Sequence, residues 1–443
     1  MLIVGLGTAV VPLDSAVNIG FPAIVAHFHL PIPMIQWIVV SYVLTQTALM
    51  LSFGRVGDLL GYRRVFLAGT AVSTLAFIAC ALAPDYAALL AARVVQGIGA
   101  GLILSCGPAL ATSLYPEDRR TRVLAIYMTM FGIGSALGPS VFGLLVERFG
   151  WSAVFAFRAP VAAAAFLLTW TLPRPVRGER EPFDAAGGLL LAAALSFMLL
   201  ALNRLRPPGL PTAVFAILAA AGFWLFYRQE HRVPKPIIDF GLFRNADFAV
   251  INLGNALINL SAFSIMLLAP FYLSRIPGLS LPVAGLILAA SPAGTIAAAP
   301  VAGWLAQHYK PRLIALAGSI LSSAGLFGIS LSGSGADLPV LVLSMAVQGV
   351  GMGLFQVAYF DIVTAVVPAR NRGVAGALGM ATRSIGTVTG ATVLMLIFQS
   401  LGPATPNGFM AAFQTTFRIA ATIPAALAML DLRRPRSRAI RSG

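Results

Sequence analysis

Asp14 and Arg93 are the residues of this chain whose types and places ask for chemistry. Asp14 stands in the middle of the apolar run LIVGLGTAVVPLDSAVNIGFPAI, and Arg93 stands in a second apolar run that extends from about residue 87 to 113. A charge at the centre of a bilayer-spanning helix costs about 2.5–3.5 kcal/mol on insertion scales, so a charge kept there is a functional candidate. A carboxylate and a guanidinium facing one cavity can take up and release a proton. The guanidinium favours the charged acid and burial favours the neutral one. Opening and closing the cavity would move that balance in each cycle. The plainer alternative is a static ion pair that only orders the helices. Asn18 lies four residues after Asp14, on the same helical face.

Other polar residues in apolar runs are weaker candidates for the same cavity. Asn252, Asn255 and Asn259 recur at i, i+3 and i+7 and form one stripe. They line the cavity or bond helix to helix. Gln96, Gln348, Gln356 and Tyr359 are candidates of the same kind. Arg383 would bind an anionic group or pair with an acid. Asp361 is a second, weaker coupling candidate.

The elements that must position these residues are membrane helices. The chain has 443 residues, 58% of them hydrophobic and 10% charged. Its mean hydropathy is +0.87. Soluble chains are about 25% charged. Apolar runs of the length that crosses a ~30 Å hydrocarbon core recur from end to end. The expectation is an all-α integral membrane protein of about fourteen spans. A β-barrel would show alternating strands of about ten residues instead.

The net charge of +15 suggests nucleic acid until its placement is considered. Lys and Arg cluster in short loops between apolar runs. With the N-terminus inside, twenty-two of the thirty fall in inner loops and the tail, and four fall in outer loops. That imbalance places both termini in the cytoplasm. The partners implied are the lipid bilayer and small molecules, with no nucleic acid, and a monomer is expected. Cys80 and Cys106 lie in apolar runs and read as packing residues.

An internal repeat orders the spans. VQGIGAGL at 95–102 returns as VQGVGMGL at 347–354. Gly134 and Gly138 align with Gly386 and Gly390 at the same offset. GRVGDLLGYRR (54–64) faces GWLAQHYKPR (303–312). Arg93 precedes the first frame, and Met345 takes its place before the second. The division expected is a six-helix bundle at 1–173, an inserted hairpin at 184–228, a second six-helix bundle at 239–431 and a basic tail at 432–443. Two bundles related by an axis along the membrane normal form the plan of a major facilitator transporter.

The glycine frame sits inside a span and lacks the strand-turn-helix context of a dinucleotide loop. It reads as close helix packing. The two lysines, Lys235 and Lys310, are each followed by Pro, so no Walker motif is present and ATP is not the expected fuel. No cofactor, metal cluster or nucleophile–base set is visible, and an enzyme is not expected. In GRVGDLLGYRR, Gly54, Gly57 and Gly61 permit tight turns. Asp58 would sit against a helix N-terminus of the other bundle, near Gly373, and hold an inner gate shut. GIGSALGPSVFG (132–143) reads as a bent, tightly packed helix.

Together these segments resemble the major facilitator superfamily, and in particular its fourteen-helix branch of drug:proton antiporters. Gly54, Asp58, Gly61, Arg63 and Arg64 match the family's motif A. Arg93, Gln96, Gly97 and Gly99 match motif B, whose Arg is implicated in proton coupling. Gly134, Gly138, Pro139 and Gly143 match motif C, a mark of antiporters. LDSAVNIGFP, with Asp14, Asn18 and Pro22, resembles the branch's first-span motif, whose Asp is a proton site. Leu59, Tyr62, Phe142 and Arg158 depart from the pattern. The usual cytoplasmic lead-in is missing, so the natural start is expected upstream. The resemblance implies a proton-driven exporter of lipophilic drugs or metabolites, cationic ones included, in a bacterial inner membrane. A proton-linked importer of a small metabolite and a non-transporting sensor on the same fold are the alternatives.

Overall fold

Three helix breaks in this chain fall beside prolines. The computed structural model describes residues 2–115, 120–172, 184–204, 209–233, 240–333, 338–366, 372–403 and 405–433. Among them no strand occurs. The helices are α1 (Leu2–Ala9), α2 (Phe21–His27), α3 (Gln36–Leu60), α4 (Tyr62–Ala81), α5 (Tyr86–Ser113) and α6 (Arg120–Phe149). They continue with α7 (Ala153–Ala156), α8 (Arg158–Trp170), α9 (Ala185–Asn203), α10 (Leu210–Glu230), α11 (Ala246–Leu273) and α12 (Leu281–Leu288). The last five are α13 (Ala290–His308), α14 (Pro311–Ile329), α15 (Leu338–Val366), α16 (Arg372–Ser400) and α17 (Pro406–Arg433). Eleven helical segments among the described residues are long and apolar enough to cross a membrane. The core of α9, Ala186–Leu202, is a shorter apolar helix.

The first span is not one α-helix, as its apolar length suggests. Between α1 and α2 the chain runs as a 3-10 helix from Pro12 to Gly20. Pro12 has no N–H to give to the Thr8 carbonyl, and Val11 N bonds that carbonyl instead at 3.1 Å. Asp14 N then bonds the Val11 carbonyl at 3.0 Å, which continues the tighter pattern. The same rule acts twice more. Pro160 frees the Ala156 carbonyl, and α7 ends at Ala156. Pro292 frees the Leu288 carbonyl, and α12 ends there. Pro139 by contrast sits inside α6 without interrupting it.

Two sets of helices pack in matching ways. α5 lies against α3 and α4, and α15 lies against α13 and α14. The glycine frames make both approaches possible. A Cβ on Gly97 or Gly101 would meet α3 at the Tyr42 or Gln46 carbonyl, and one on Gly349 or Gly353 would meet α13 at the Ser291 or Thr295 carbonyl. The middle glycines face the other way: Gly99 meets α4 at Ser73 and Gly351 meets α14 at Ser322.

One large apolar core joins the two sets at a single end of the bundle. It holds Phe21, Phe142, Trp151, Phe271, Phe398 and Phe409. The rings of Phe21 and Phe271 stack across the junction at 6.5 Å. At the opposite end the cores are separate. One gathers Val4, Phe66, Ile103 and Tyr127, and the other gathers Phe248, Phe355, Tyr359 and Val363. The hairpin α9–α10 lies beside the junction, with α9 touching both α3 and α16. Asp184 ties its two helices: it accepts from Gly187 N at 2.9 Å, capping α9, and from Gln229 Nε2 of α10 at 2.8 Å.

Candidate functional site

The 3-10 segment carries Asp14 into a bed of donors. Arg93 of α5 grips the carboxylate with both terminal nitrogens, Nη1 to Oδ1 at 2.6 Å and Nη2 to Oδ2 at 2.8 Å. Gln96, one turn along the same helix, donates to Oδ1 at 2.9 Å. Arg158, at the start of α8, donates to the same oxygen at 2.9 Å. The forked pairing fixes direction as well as distance.

Each guanidinium is held from behind. Arg93 Nε donates to the Ile38 carbonyl at 2.9 Å, and the Tyr42 ring lies 4.4 Å from its guanidinium carbon. Arg158 Nη2 donates to the Val10 carbonyl at 3.1 Å, and the Phe77 ring lies 4.3 Å away. Arg93 and Arg158 are fully buried, while the Asp14 side chain keeps 15% exposure. Two cations therefore surround one anion.

Motif C builds the platform under Asp14. A Cβ on Gly134 would lie 2.8 Å from the Ala9 carbonyl, and one on Gly138 would lie 2.7 Å from Ser15 Oγ. Only bare backbone lets α6 approach this closely. Gly143 faces elsewhere: a Cβ there would lie 2.6 Å from the Leu281 carbonyl of α12. One motif thus touches both sets of helices.

The exposed edge of Asp14 faces a cavity of about 400 Å³ between the two sets. Asn18, Asn259, Gln356 and Arg383 also line it, with Met266, Met352 and Phe263 among its apolar walls. Asn18 Nδ2 points at Met266 Sδ, 3.0 Å away. The other polar candidates stand behind the wall in helix-to-helix bonds. Gln96 belongs to the Asp14 cluster. Tyr359 Oη donates to Asn252 Oδ1 at 2.9 Å. Asn255 Nδ2 donates to Thr382 Oγ1 at 2.7 Å and to the Gly379 carbonyl at 3.0 Å. Gln348 Oε1 accepts from Ser291 Oγ at 2.6 Å.

Motif A divides. Gly61 takes φ +95° between α3 and α4, a conformation that glycine alone adopts readily. Arg63 bonds the Thr169 carbonyl at 3.2 Å and the Trp170 carbonyl, so it caps the end of α8. Arg64 is exposed. The side chains of Gly54 and Asp58, and of the α16 start near Gly373, lie outside those described.

Sequence reasoning missed Arg158 as a partner of Asp14 and read it only as a departure from the family pattern. The signal was Pro160 two residues on, which breaks the helix within the span and turns Arg158 inward. No group of three metal-binding side chains occurs among the described residues.

Comparison with known proteins gives a consistent answer. The profile of the Major Facilitator Superfamily matches residues 4–229 and 251–442. The riboflavin transporter RibZ of Clostridioides difficile is 29% identical over 405 residues, 90% of this chain and 88% of its own. The tetracenomycin C resistance and export protein of Streptomyces glaucescens is 30% identical over 414 residues, 90% of this chain and 76% of its own. Among solved structures, a bacterial homologue of the human lysosomal transporter Spinster, inward-facing and unoccupied, superposes with a TM-score of 0.68. That likeness covers 98% of this chain and 96% of the other at 17% identity, and it speaks for the fold.

Proposed function

Because the chain belongs to the major facilitator superfamily and is a transporter, we propose that it is a proton-coupled antiporter exporting small lipophilic compounds by alternating access. The observation that carries this reading is Asp14 itself. It is the acid on the cavity wall, it sits on the irregular segment of the first span, and it is held by Arg93, Arg158 and Gln96. A proton on Asp14 removes the charge that draws α5 and α8 toward that segment. Protonation then becomes a change in helix packing, which a rocking carrier needs.

The sidedness follows from the charge count. The end closed by the shared aromatic core is the outer one, and the end with separate cores is the cytoplasmic one. The arrangement described is then inward-facing, with both termini inside. Fourteen spans, in two bundles of six and an inserted pair, accommodate α9–α10 beside the junction. The fuel is the proton gradient and not ATP. One charge moving inward at 100 mV releases about 2.3 kcal/mol. Similarity to proteins named for drug export supports the direction. Similarity to a riboflavin transporter supports the second reading, carriage of a metabolite on the same machinery.

The test uses everted vesicles, acidic inside, and a panel of lipophilic dyes. The native protein accumulates at least one dye, an uncoupler abolishes the accumulation, and Asp14→Asn lacks it at matched protein level. Accumulation that ignores the uncoupler would remove proton coupling. Accumulation that survives Asp14→Asn would move the coupling site away from Asp14.

A further inference from the structure

Among the described residues two charged side chains line the central cavity, Asp14 and Arg383, and they are not equivalent. Asp14 is already occupied. Its two oxygens receive four hydrogen bonds, three on Oδ1 and one on Oδ2, from Arg93, Arg158 and Gln96. A carboxylate offers about four lone-pair positions, so little accepting capacity is left for a guest. Arg383 of α16 is the opposite case. It lines the same cavity, and among the described residues its guanidinium has no ion-pair or hydrogen-bond partner. Its backbone carbonyl accepts from Thr387 Oγ1 at 3.1 Å.

The charges around the cavity therefore do not balance. Among the described residues three guanidiniums, on Arg93, Arg158 and Arg383, stand against one carboxylate. A cationic guest would meet Arg383 and find the one carboxylate of the described lining taken. An anionic guest would supply the missing partner. A planar guanidinium is suited to grip a carboxylate or similar oxyanion with two parallel bonds. Ser384 and Thr387, which also line the cavity beside Arg383, add hydroxyls to the same patch.

The rest of the lining fixes the other half of the guest. Met266, Met352, Met380 and Phe263 present an apolar, adaptable wall. About 400 Å³ falls in the range of pockets that take drug-sized ligands. We infer that the cavity binds an organic anion, an apolar body carrying a carboxylate or comparable oxyanion, with Arg383 as the anchor of its charge. This rests on the transport reading, in that the bound anion is the cargo, and it excludes the cationic substrates that the sequence alone left open.

Three fluorescent ligands of one shape separate the charges: naphthoate, naphthamide and naphthylmethylammonium. Binding is measured at neutral pH by equilibrium dialysis against the protein in phosphatidylcholine nanodiscs, with empty nanodiscs subtracted. Naphthoate should bind roughly tenfold or more tighter than the amide, the scale of a charge-assisted bond, and the ammonium should bind weakest. Arg383→Gln should bring naphthoate down to the amide. Arg383→Lys, which keeps the charge, should retain part of the preference and separates lost charge from lost fold. The inference is overturned if the amide or the ammonium binds as well as naphthoate, if naphthoate does not bind, or if its preference survives Arg383→Gln. Vesicle flux reads the export proposal separately. Naphthoate selectivity without proton-driven flux would keep the anion site and remove the exporter. Proton-driven flux of cations alone would keep the exporter and remove the anion site.

Discussion

Arg93 and Met345 fill the same place in two helices built on one glycine frame. Both are fully buried, and both are long unbranched side chains three residues before a Gln. Around them the packing repeats contact for contact, with outer glycines against α3 or α13 and middle glycines against α4 or α14. The platform repeats too, since Gly134 meets the Ala9 carbonyl and Gly386 meets the Ala256 carbonyl. What differs is the partner. Arg93 finds a carboxylate on a segment that Pro12 has pulled out of the α-helical pattern, while Met345 joins the apolar core. Close packing dictates the repeat, and chemistry enters in one half where a proline breaks the first span.

Asp14→Ala should break the comparison most severely. It leaves two buried guanidiniums without an anion, and breaking a buried pair costs roughly 3–5 kcal/mol. Arg93→Met, which copies the second half, removes one cation and leaves Asp14 with Arg158 and Gln96. It should melt well above Asp14→Ala in detergent, with transport lost in both. Equal melting temperatures for the two variants would mean that the pair carries no net structural weight.

The glycine frames come next. A Cβ at Gly349 would stand 1.9 Å from the Ser291 carbonyl, and one at Gly97 would stand 2.7 Å from the Tyr42 carbonyl. Both are backbone contacts that yield little. Overpacking costs typically 1–3 kcal/mol, so both Ala variants should lower the melting temperature, Gly349→Ala more. A harmless Gly349→Ala would show that α13 and α15 can separate freely at this level.

Much of this site is legible in the sequence, because charge in an apolar run is conspicuous wherever it falls. Asp14 and Arg93 announce themselves in that way. Arg158 does not, since nothing in its spacing points to Asp14 and only the helix break before Pro160 sets it at the head of α8. The asparagine stripe illustrates the opposite limit. Its spacing identifies a buried face of α11, but periodicity names a face and not a neighbour. Asn259 reaches the cavity, while Asn255 bonds α16 and Asn252 meets Tyr359 of α15. The 3-10 segment was likewise hidden, because hydropathy counts apolar length and not hydrogen-bond pattern. Pro12 and Pro22 were its only signals.

Gln96 and Gln348 sharpen the comparison at smaller cost. They are equivalent in the frame, yet Gln96 donates to a carboxylate and Gln348 accepts from a serine hydroxyl. Bonds to charged groups are worth about 1.5–3 kcal/mol and neutral ones about 0.5–1.5. Gln96→Leu should destabilise more than Gln348→Leu and should also lower proton-driven flux. Equal losses in both readouts would mean that the Asp14 cluster is no more than packing.

The smallest effect should have the opposite sign. Gly303 begins the second-half counterpart of motif A, inside α13, and a Cβ there meets nothing within 4 Å. Glycine in a helix interior is destabilising relative to alanine by roughly 0.5–1 kcal/mol, so Gly303→Ala should raise the melting temperature slightly and leave flux unchanged. Gly61, in the first-half motif, cannot be relieved in this way because its φ is +95°. The matching position in the second half is Lys310, at φ −64°, where any side chain fits. If Gly303→Ala instead impaired flux at unchanged stability, the second-half segment would need close approach at a stage of the cycle other than the one described. The two halves would then share a gating demand that a single conformation does not reveal.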